Sequence, residues 1–225
     1  MNIARYLDHA ILQPSMTLEE RKAAIQMGVD YKVKTVCVQP CDIEMAKELC
    51  KGSETEVICV LDFPQGQATP EAKEMLAELY AKQGVAEIDM VLNYGYLRSG
   101  AVDKIEDEVS RVVSKAHACN VPVKVIFETS ELNEEQITAG VKACIAAKAD
   151  FVKTSTGFSK CGATMESVTA MLKAAGDQIK VKPSGGIRDI ETALKYVEMG
   201  AARLGTGFSS TPVLCKGEGK AEGDY

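Results

Sequence analysis

Four charged residues stand inside short apolar runs, where an unpaired charge is expensive. They are Asp89 in "EIDMVLN", Lys124 in "VKVIFET", Lys153 in "DFVKTSTGFS" and Lys182 in "IKVKPSGG". Strand side chains alternate, so Phe151 and Lys153 share one face while Val152 and Thr154 share the other. Taken alone, Lys153 reads equally as a strand-end lysine whose stem packs and as a reactive amine. Lys182 tips the balance, because the same alternation turns Val181 away from it and places a second lysine inside. Two ammonium groups brought together in a partly desolvated site favour the neutral amine. A neutral lysine amine adds to a carbonyl, forms a carbinolamine and then a Schiff base. The iminium draws electrons from the neighbouring carbon and permits C–C cleavage or condensation. Asp89 is either a structural carboxylate or a proton shuttle for those steps. Lys124 reads as an ion-pair partner that sets local charge rather than as the nucleophile.

A second signal is glycine-rich. "SGGIRD" (184–189) and "GTGFSS" (205–210) each follow a strand-like run, and Gly157 follows Lys153. Glycine lets backbone N–H groups approach an anion and serine adds donors, so Gly157, Gly185, Gly186, Gly205, Gly207, Ser209 and Ser210 are candidates for holding a phosphate. A plain turn is the other reading of any one glycine pair.

These residues need a scaffold that brings distant strands together. Strand-like runs begin near Tyr6, Lys34, Glu56, Ala86, Pro122, Asp150, Ile179 and Ala202. Helical patterns lie between them, with start signals such as Thr17, Thr69-Pro70, Asn133 and Asp189. Eight strands alternating with helices predict parallel strands and a single-domain (β/α)8 barrel, an α/β fold with chemistry at the C-terminal strand ends. An open doubly wound sheet is the alternative, but its G-x-G-x-x-G fingerprint is missing after the first strand. The barrel is expected over residues 1–214, with "CKGEGKAEGDY" (215–225) as a flexible tail.

The chain has 225 residues, 46% of them hydrophobic and 26% charged, and a net charge of −6. That balance argues against a nucleic-acid or anionic-membrane surface. No secretory leader is expected, and no apolar run approaches a membrane span; a cytoplasmic protein is the expectation. The eight cysteines are scattered through apolar stretches such as "VCVQPC" and "KACIAA", which predicts buried free thiols. The two histidines lie far from Cys37 and Cys41, so no metal site is expected. His117 is expected at the surface.

With these segments in place, the chain resembles the deoxyribose-phosphate aldolase family of class I aldolases, from "LDHAILQP" to "ARLGTGFSS". "EIDMVLNYGYLRSG", "VKVIFET", "FVKTSTGF" and "VKPSGGIRD" carry the likeness. The resemblance implies a barrel without metal or organic cofactor. It also implies reversible cleavage of 2-deoxy-D-ribose 5-phosphate to acetaldehyde and D-glyceraldehyde 3-phosphate, and a homo-oligomer, with a dimer favoured. Lys153 takes the place of the Schiff-base nucleophile, Lys182 of the lysine that perturbs it, and Asp89 of the proton carrier. Tyr225 matches a C-terminal tyrosine that in some members reaches the site; an incidental terminal tyrosine is the other reading. Departures from the family pattern occur at Ala10, Gln13, Gln39, Asp62, Gln65, Pro183, Gly207 and Phe208. They bear on the acceptor-aldehyde side. A related sugar phosphate is therefore the alternative substrate, and a non-catalytic phosphosugar-binding barrel the alternative class.

Overall fold

Short apolar runs alternate along the chain with segments that open on a side chain able to cap a helix. The computed structural model describes residues 1–222 and shows what that alternation builds. Eight strands form, β1 (Leu7–Ile11), β2 (Thr35–Val38), β3 (Glu56–Leu61), β4 (Glu87–Val91), β5 (Val123–Ile126), β6 (Phe151–Lys153), β7 (Lys180–Lys182) and β8 (Leu204–Gly207). The main helices between them are α1 (Leu18–Asp30), α2 (Ile43–Cys50), α3 (Pro70–Lys82), α5 (Val102–His117), α6 (Glu134–Ala146), α7 (Met165–Ala175) and α8 (Ile190–Glu198). Two short helices were not expected, α4 (Tyr94–Arg98) before α5 and α9 (Thr211–Lys216) after β8. A single turn carries too little periodicity to be read from sequence.

The start signals act as physical caps. Thr17 and Glu20 form a reciprocal capping box on α1, and Asn133 and Gln136 do the same on α6. The Thr69 side chain accepts the Ala72 N–H while Pro70 occupies the first turn of α3.

All strand pairs are parallel, in the order β7-β6-β5-β4-β3-β2-β1-β8. The ring closes between β7 and β8, where Ser184 and Gly205 form a bridge. Ala202 N–H donates to the Val181 carbonyl (3.0 Å) and Gly205 N–H to that of Pro183 (2.8 Å). This is the barrel the alternation predicts; the open sheet is ruled out by the β7–β8 seam, which joins the two edges of the strand order. Gly205 makes the seam possible, since a Cβ there would lie 2.1 Å from Ser184 Oγ.

The sheet's outer face and the helices share one large apolar core, while a small one lies inside the barrel. The inner one joins Ala10, Leu12, Cys37, Ile58 and Val60, with Phe63 against it. Along β1–β3 the barrel lumen is therefore apolar at these positions, with Asp8 of β1 and Thr35 of β2 as its buried polar members. None of the eight cysteines is in a disulfide, but the expectation that they are buried holds only in part: Cys41 and Cys161 are exposed. Cys41 sits in the one-turn 3-10 helix Pro40–Asp42 and Cys161 in a loop, away from the strands that bury Cys37 and Cys59. His117 is half exposed at the end of α5 and pairs with Asp150 at 2.8 Å.

His9 faces the opposite way from the lumen. Its Nε2 lies 2.9 Å from the Ala24 carbonyl of α1 and its Nδ1 2.7 Å from Thr211 Oγ1 of α9. These partners assign a neutral ring that donates through Nε2 and accepts at Nδ1. Burial pushes its pKa down to about 4, with the Ala24 bond pulling the other way. The folded pKa lies below the unfolded value of 6.5, so its stabilisation is whole above pH 6.5 and is lost as pH falls through about 4. The difference is roughly 3 kcal/mol. We expect the wild-type urea midpoint to fall across that window and the His9→Gln midpoint to lose that part of the slope. Equal slopes would show that His9 is not held neutral.

No helix among the described residues is long and apolar enough to cross a membrane.

Candidate active site

The register decides which polar residues meet. Asp89 of β4 pairs with Lys124 of β5, and Lys153 of β6 with Lys182 of β7. Lys124 lies level with Phe151, and Lys153 level with Ile126, two residues nearer the C-terminal end of the barrel. Lys153 is thus one layer closer to the mouth than Lys124.

Asp89 is the hub. Its Oδ2 accepts from Lys153 Nζ at 2.9 Å and from Lys182 Nζ at 2.7 Å, and its Oδ1 from Lys124 Nζ at 2.8 Å. The two lysines expected to approach each other do so across a shared carboxylate oxygen. All four residues are at most 1% exposed.

Below them lies a layer that sequence reading missed. Asp8 of β1 pairs with Lys182 and stands 3.5 Å from Lys124. Arg203, just before β8, donates to Asp8 Oδ1 and Glu87 Oε1, both at 2.6 Å. Glu87 in turn pairs with Lys124, and Thr35 donates to Asp8 Oδ1 at 2.8 Å. The buried cluster therefore holds four cations (Lys124, Lys153, Lys182, Arg203) against three carboxylates (Asp8, Glu87, Asp89). One positive charge is left over inside a chain of net charge −6. Asp8 carried a signal, an acid in the apolar run "YLDHAIL", but nothing in the sequence says that β1 closes on β8 beside Lys182.

Burial pushes the Asp89 carboxyl up, but Lys124, Lys153 and Lys182 outweigh it and hold it well below the usual carboxylate range. Asp8 behaves likewise: burial raises it, and Lys182, Lys124 and Arg203 bring it down further. For Lys124, burial favours the free amine, yet Asp89, Asp8 and Glu87 more than reverse this and hold it charged. Lys124 is an ion-pair partner, as its sequence context indicated.

The rim follows from the loops after β6, β7 and β8. Gly157, Gly185 and Gly186 have φ of 86°, 78° and 74°, a region that favours glycine. The first two approach backbone to backbone; a Cβ on Gly185 would lie 3.4 Å from Gly157 Cα. Gly185 donates its N–H to the Gly205 carbonyl (3.1 Å) and Gly205 donates to Pro183. These two amides serve closure of the barrel, which corrects the expectation that they face an anion. Gly157 and Gly186 are the turn glycines at the mouth. Gly207 ends β8, Ser209 is exposed and Ser210 is buried in the turn before α9. Ser155, two residues beyond Lys153, is fully buried, and its hydroxyl has no hydrogen-bond partner among the described residues. Sequence reading gave it no role, though it stands within "KTSTG". Tyr225 lies outside the described residues. Among those residues no group of three or more His, Cys, Asp or Glu side chains is placed to hold a metal.

A family model for DeoC/LacD family aldolases matches residues 3–211. The chain belongs to the DeoC/LacD aldolase family. It is 41% identical to the deoxyribose-phosphate aldolase of Clostridium kluyveri, an alignment covering 92% of this chain and 94% of that one. The aldolase QR15 superposes with a TM-score of 0.89 at 35% identity, covering 96% and 95% of the two chains. The tetrameric deoxyribose phosphate aldolase of Aeropyrum pernix gives 0.84 at 29% identity, covering 95% and 89%.

Within this aldolase-family barrel, several departures from the family pattern serve the framework. Asp62 accepts the Ala68 N–H at 2.8 Å and stands 3.4 Å from Lys73, itself buried against Glu108. Gln65 is exposed, Gln39 donates to the Leu12 carbonyl (3.1 Å), and Phe208 meets the His9 ring edge-on. None of these contacts joins the charged cluster around Lys153.

Proposed function

We propose that this chain is a class I aldolase that reversibly cleaves 2-deoxy-D-ribose 5-phosphate to D-glyceraldehyde 3-phosphate and acetaldehyde through a Schiff base on Lys153. The observation that carries this reading is the buried Lys153–Asp89–Lys182 bridge at the C-terminal end of the barrel. Family membership supports the same reaction class.

Among the three lysines, Lys153 is the one suited to nucleophilic attack. It contacts one carboxylate, whereas Lys182 contacts two and Lys124 three. It is also nearer the mouth than Lys124. Lys153 passes a proton into the Asp89–Lys182 pair and its amine adds to the C1 aldehyde of the open-chain sugar. The carbinolamine loses water with a proton supplied from the same pair, giving the imine. Asp89 and Lys182 then accept the C3 hydroxyl proton as the C2–C3 bond breaks. The bond's electrons pass into the imine and leave an enamine, because only C2 adjoins the imine carbon. C3 to C5 depart as glyceraldehyde 3-phosphate. Protonation of C2 and addition of water release acetaldehyde and restore the amine. Ser155 offers its hydroxyl to the substrate, and the Gly157 and Gly186 turns, with Gly207, Ser209 and Ser210 across the mouth, face the phosphate end. The surplus positive charge of the cluster suits an anionic substrate.

No metal or organic cofactor enters this scheme. The reaction belongs to deoxyribonucleoside breakdown in the cytoplasm, and the protein works as a homo-oligomer, a dimer in the first instance. The Aeropyrum pernix relative is a tetramer, so sedimentation should show an assembly larger than one chain.

The test is borohydride reduction in the presence of acetaldehyde, with peptide mass spectrometry, alongside release of acetaldehyde from 2-deoxyribose 5-phosphate. A reduced two-carbon adduct confined to Lys153 together with turnover is the expected result. An adduct on Lys182 or Lys124 would reassign the lysines. Folded protein that forms no adduct would overturn the reading and favour a phosphosugar-binding barrel.

A further inference from the structure

Glu128 is a buried carboxylate that the scheme above does not use. It follows β5 by two residues at the catalytic end of the barrel and is 2% exposed. Its backbone is left-handed (φ 56°, ψ 62°), a conformation that disfavours a residue with a side chain. Among the described residues no basic side chain lies within ion-pair distance of it. Its carboxylate is instead engaged by one residue, Thr156. The Thr156 hydroxyl donates to Oε2, and its N–H lies 3.4 Å from both oxygens. A buried acid in a strained backbone, held by a single neighbour, calls for a reason beyond stability.

The reason lies in what Thr156 does next. Its hydroxyl accepts the Phe158 N–H at 3.0 Å and so closes the turn at Gly157. A hydroxyl that donates to a carboxylate has its lone pairs aimed elsewhere, so the Glu128 bond orients the oxygen that closes the turn. The same joint is braced by Thr129 N–H on the Thr154 carbonyl (2.9 Å) and by Phe127 N–H on that of Lys153 (3.0 Å). Past the turn, the Phe158 ring packs edge-on against Phe63 at 5.3 Å. Glu128 thus couples the loop after β5 to the Gly157 turn; among the described residues no hydrogen bond or ion pair joins it to the Asp89 cluster, and Lys153 acts on its carboxyl only through its field.

We infer that Glu128 is a positioning residue, acting through Thr156 to hold the Gly157 turn in the shape that receives the substrate's phosphate. The inference rests on the aldolase reading above. It assigns Glu128 to binding of the phosphorylated end rather than to imine chemistry, which takes place on Lys153.

Three variants separate backbone from side chain. Glu128→Gly fits the left-handed backbone but removes the carboxylate. Glu128→Gln keeps an oxygen that can accept the Thr156 hydroxyl. Thr156→Val removes the hydroxyl itself. For Glu128→Gly and Thr156→Val we expect KM for 2-deoxyribose 5-phosphate to rise about tenfold, the effect of one well-placed hydrogen bond to a charged group, with kcat within about threefold of wild type. Glu128→Gln should recover most of the KM. The rate of borohydride trapping with acetaldehyde, which carries no phosphate, should stay at the wild-type level in Glu128→Gly. An unchanged KM in Glu128→Gly would overturn the inference. So would trapping that falls in step with KM, since Glu128 would then act on Lys153. Wild-type protein that neither traps acetaldehyde nor turns over the sugar phosphate would instead condemn the aldolase reading, independently of Glu128.

Discussion

Lys153→Leu is expected to abolish turnover of 2-deoxyribose 5-phosphate, by a factor on the order of 10⁴ to 10⁶, the usual cost of removing a covalent nucleophile. The barrel should nevertheless fold. Lys153 makes one ion pair, to Asp89 Oδ2, and that oxygen keeps its bond to Lys182 while Oδ1 keeps Lys124. No buried carboxylate is left without a partner, which is the condition under which removing one member of a buried pair is most costly. The substitution therefore separates catalysis from binding. A barrel that only bound phosphosugars would hold its ligand as before, and an aldolase would bind but not turn over. Steady-state assay, ligand binding and a thermal melt on the same preparation supply the three readings. Turnover within about tenfold of wild type would sink the imine assignment.

Asp89→Asn has the other large effect, and it acts on stability and rate together. The amide keeps the shape but removes the charge on which three lysines converge. Breaking a buried ion cluster in this way costs about 3–5 kcal/mol. The rate should fall by roughly 10² to 10⁴, the range for losing a positioned proton carrier.

The pH dependence has a definite sign. The Asp89 carboxyl in the fold lies well below 3.8: burial raises it, and Lys124, Lys153 and Lys182 more than offset that. A carboxyl depressed on folding contributes its full stabilisation above its unfolded pKa and loses it as pH falls through the folded value. Wild type should therefore lose stability steeply below about pH 4. Asp89→Asn should be less stable than wild type at pH 7, and the gap should narrow toward pH 3. Asp8, depressed for the same reason, keeps part of the acid sensitivity in both proteins. Urea midpoints at the two pH values measure this. A gap that stays constant would mean that Asp89 is not held ionised by the lysines.

Much of the barrel was legible because each element needed only local signals. The caps at Thr17, Thr69, Asn133 and Asp189 are side chains that meet backbone N–H groups within one helical turn, so neighbouring letters suffice. Alternation placed Lys153 opposite Val152 and Lys182 opposite Val181 for the same reason: a strand's side chains have period two whatever the strand packs against. A lysine or aspartate in the position of a core residue stands out in the string, and Asp89, Lys124, Lys153 and Lys182 did.

What required the tertiary structure was everything set by closure and register. That Lys153 and Lys182 meet on one oxygen of Asp89 depends on pairing across β4 to β7. That Asp8 and Arg203 complete the cluster depends on β1 lying beside β8, the two ends of the chain joined by the ring. The glycines show the limit most plainly. Composition says that the backbone can come close at Gly157, Gly185, Gly186 and Gly205, but not which amides remain available. In the fold, Gly185 and Gly205 turn theirs inward to close the barrel. Residue type determines what a side chain or a backbone can do, whereas the partner that uses it is chosen by contacts between strands far apart in sequence, and those exist only once the sheet has closed.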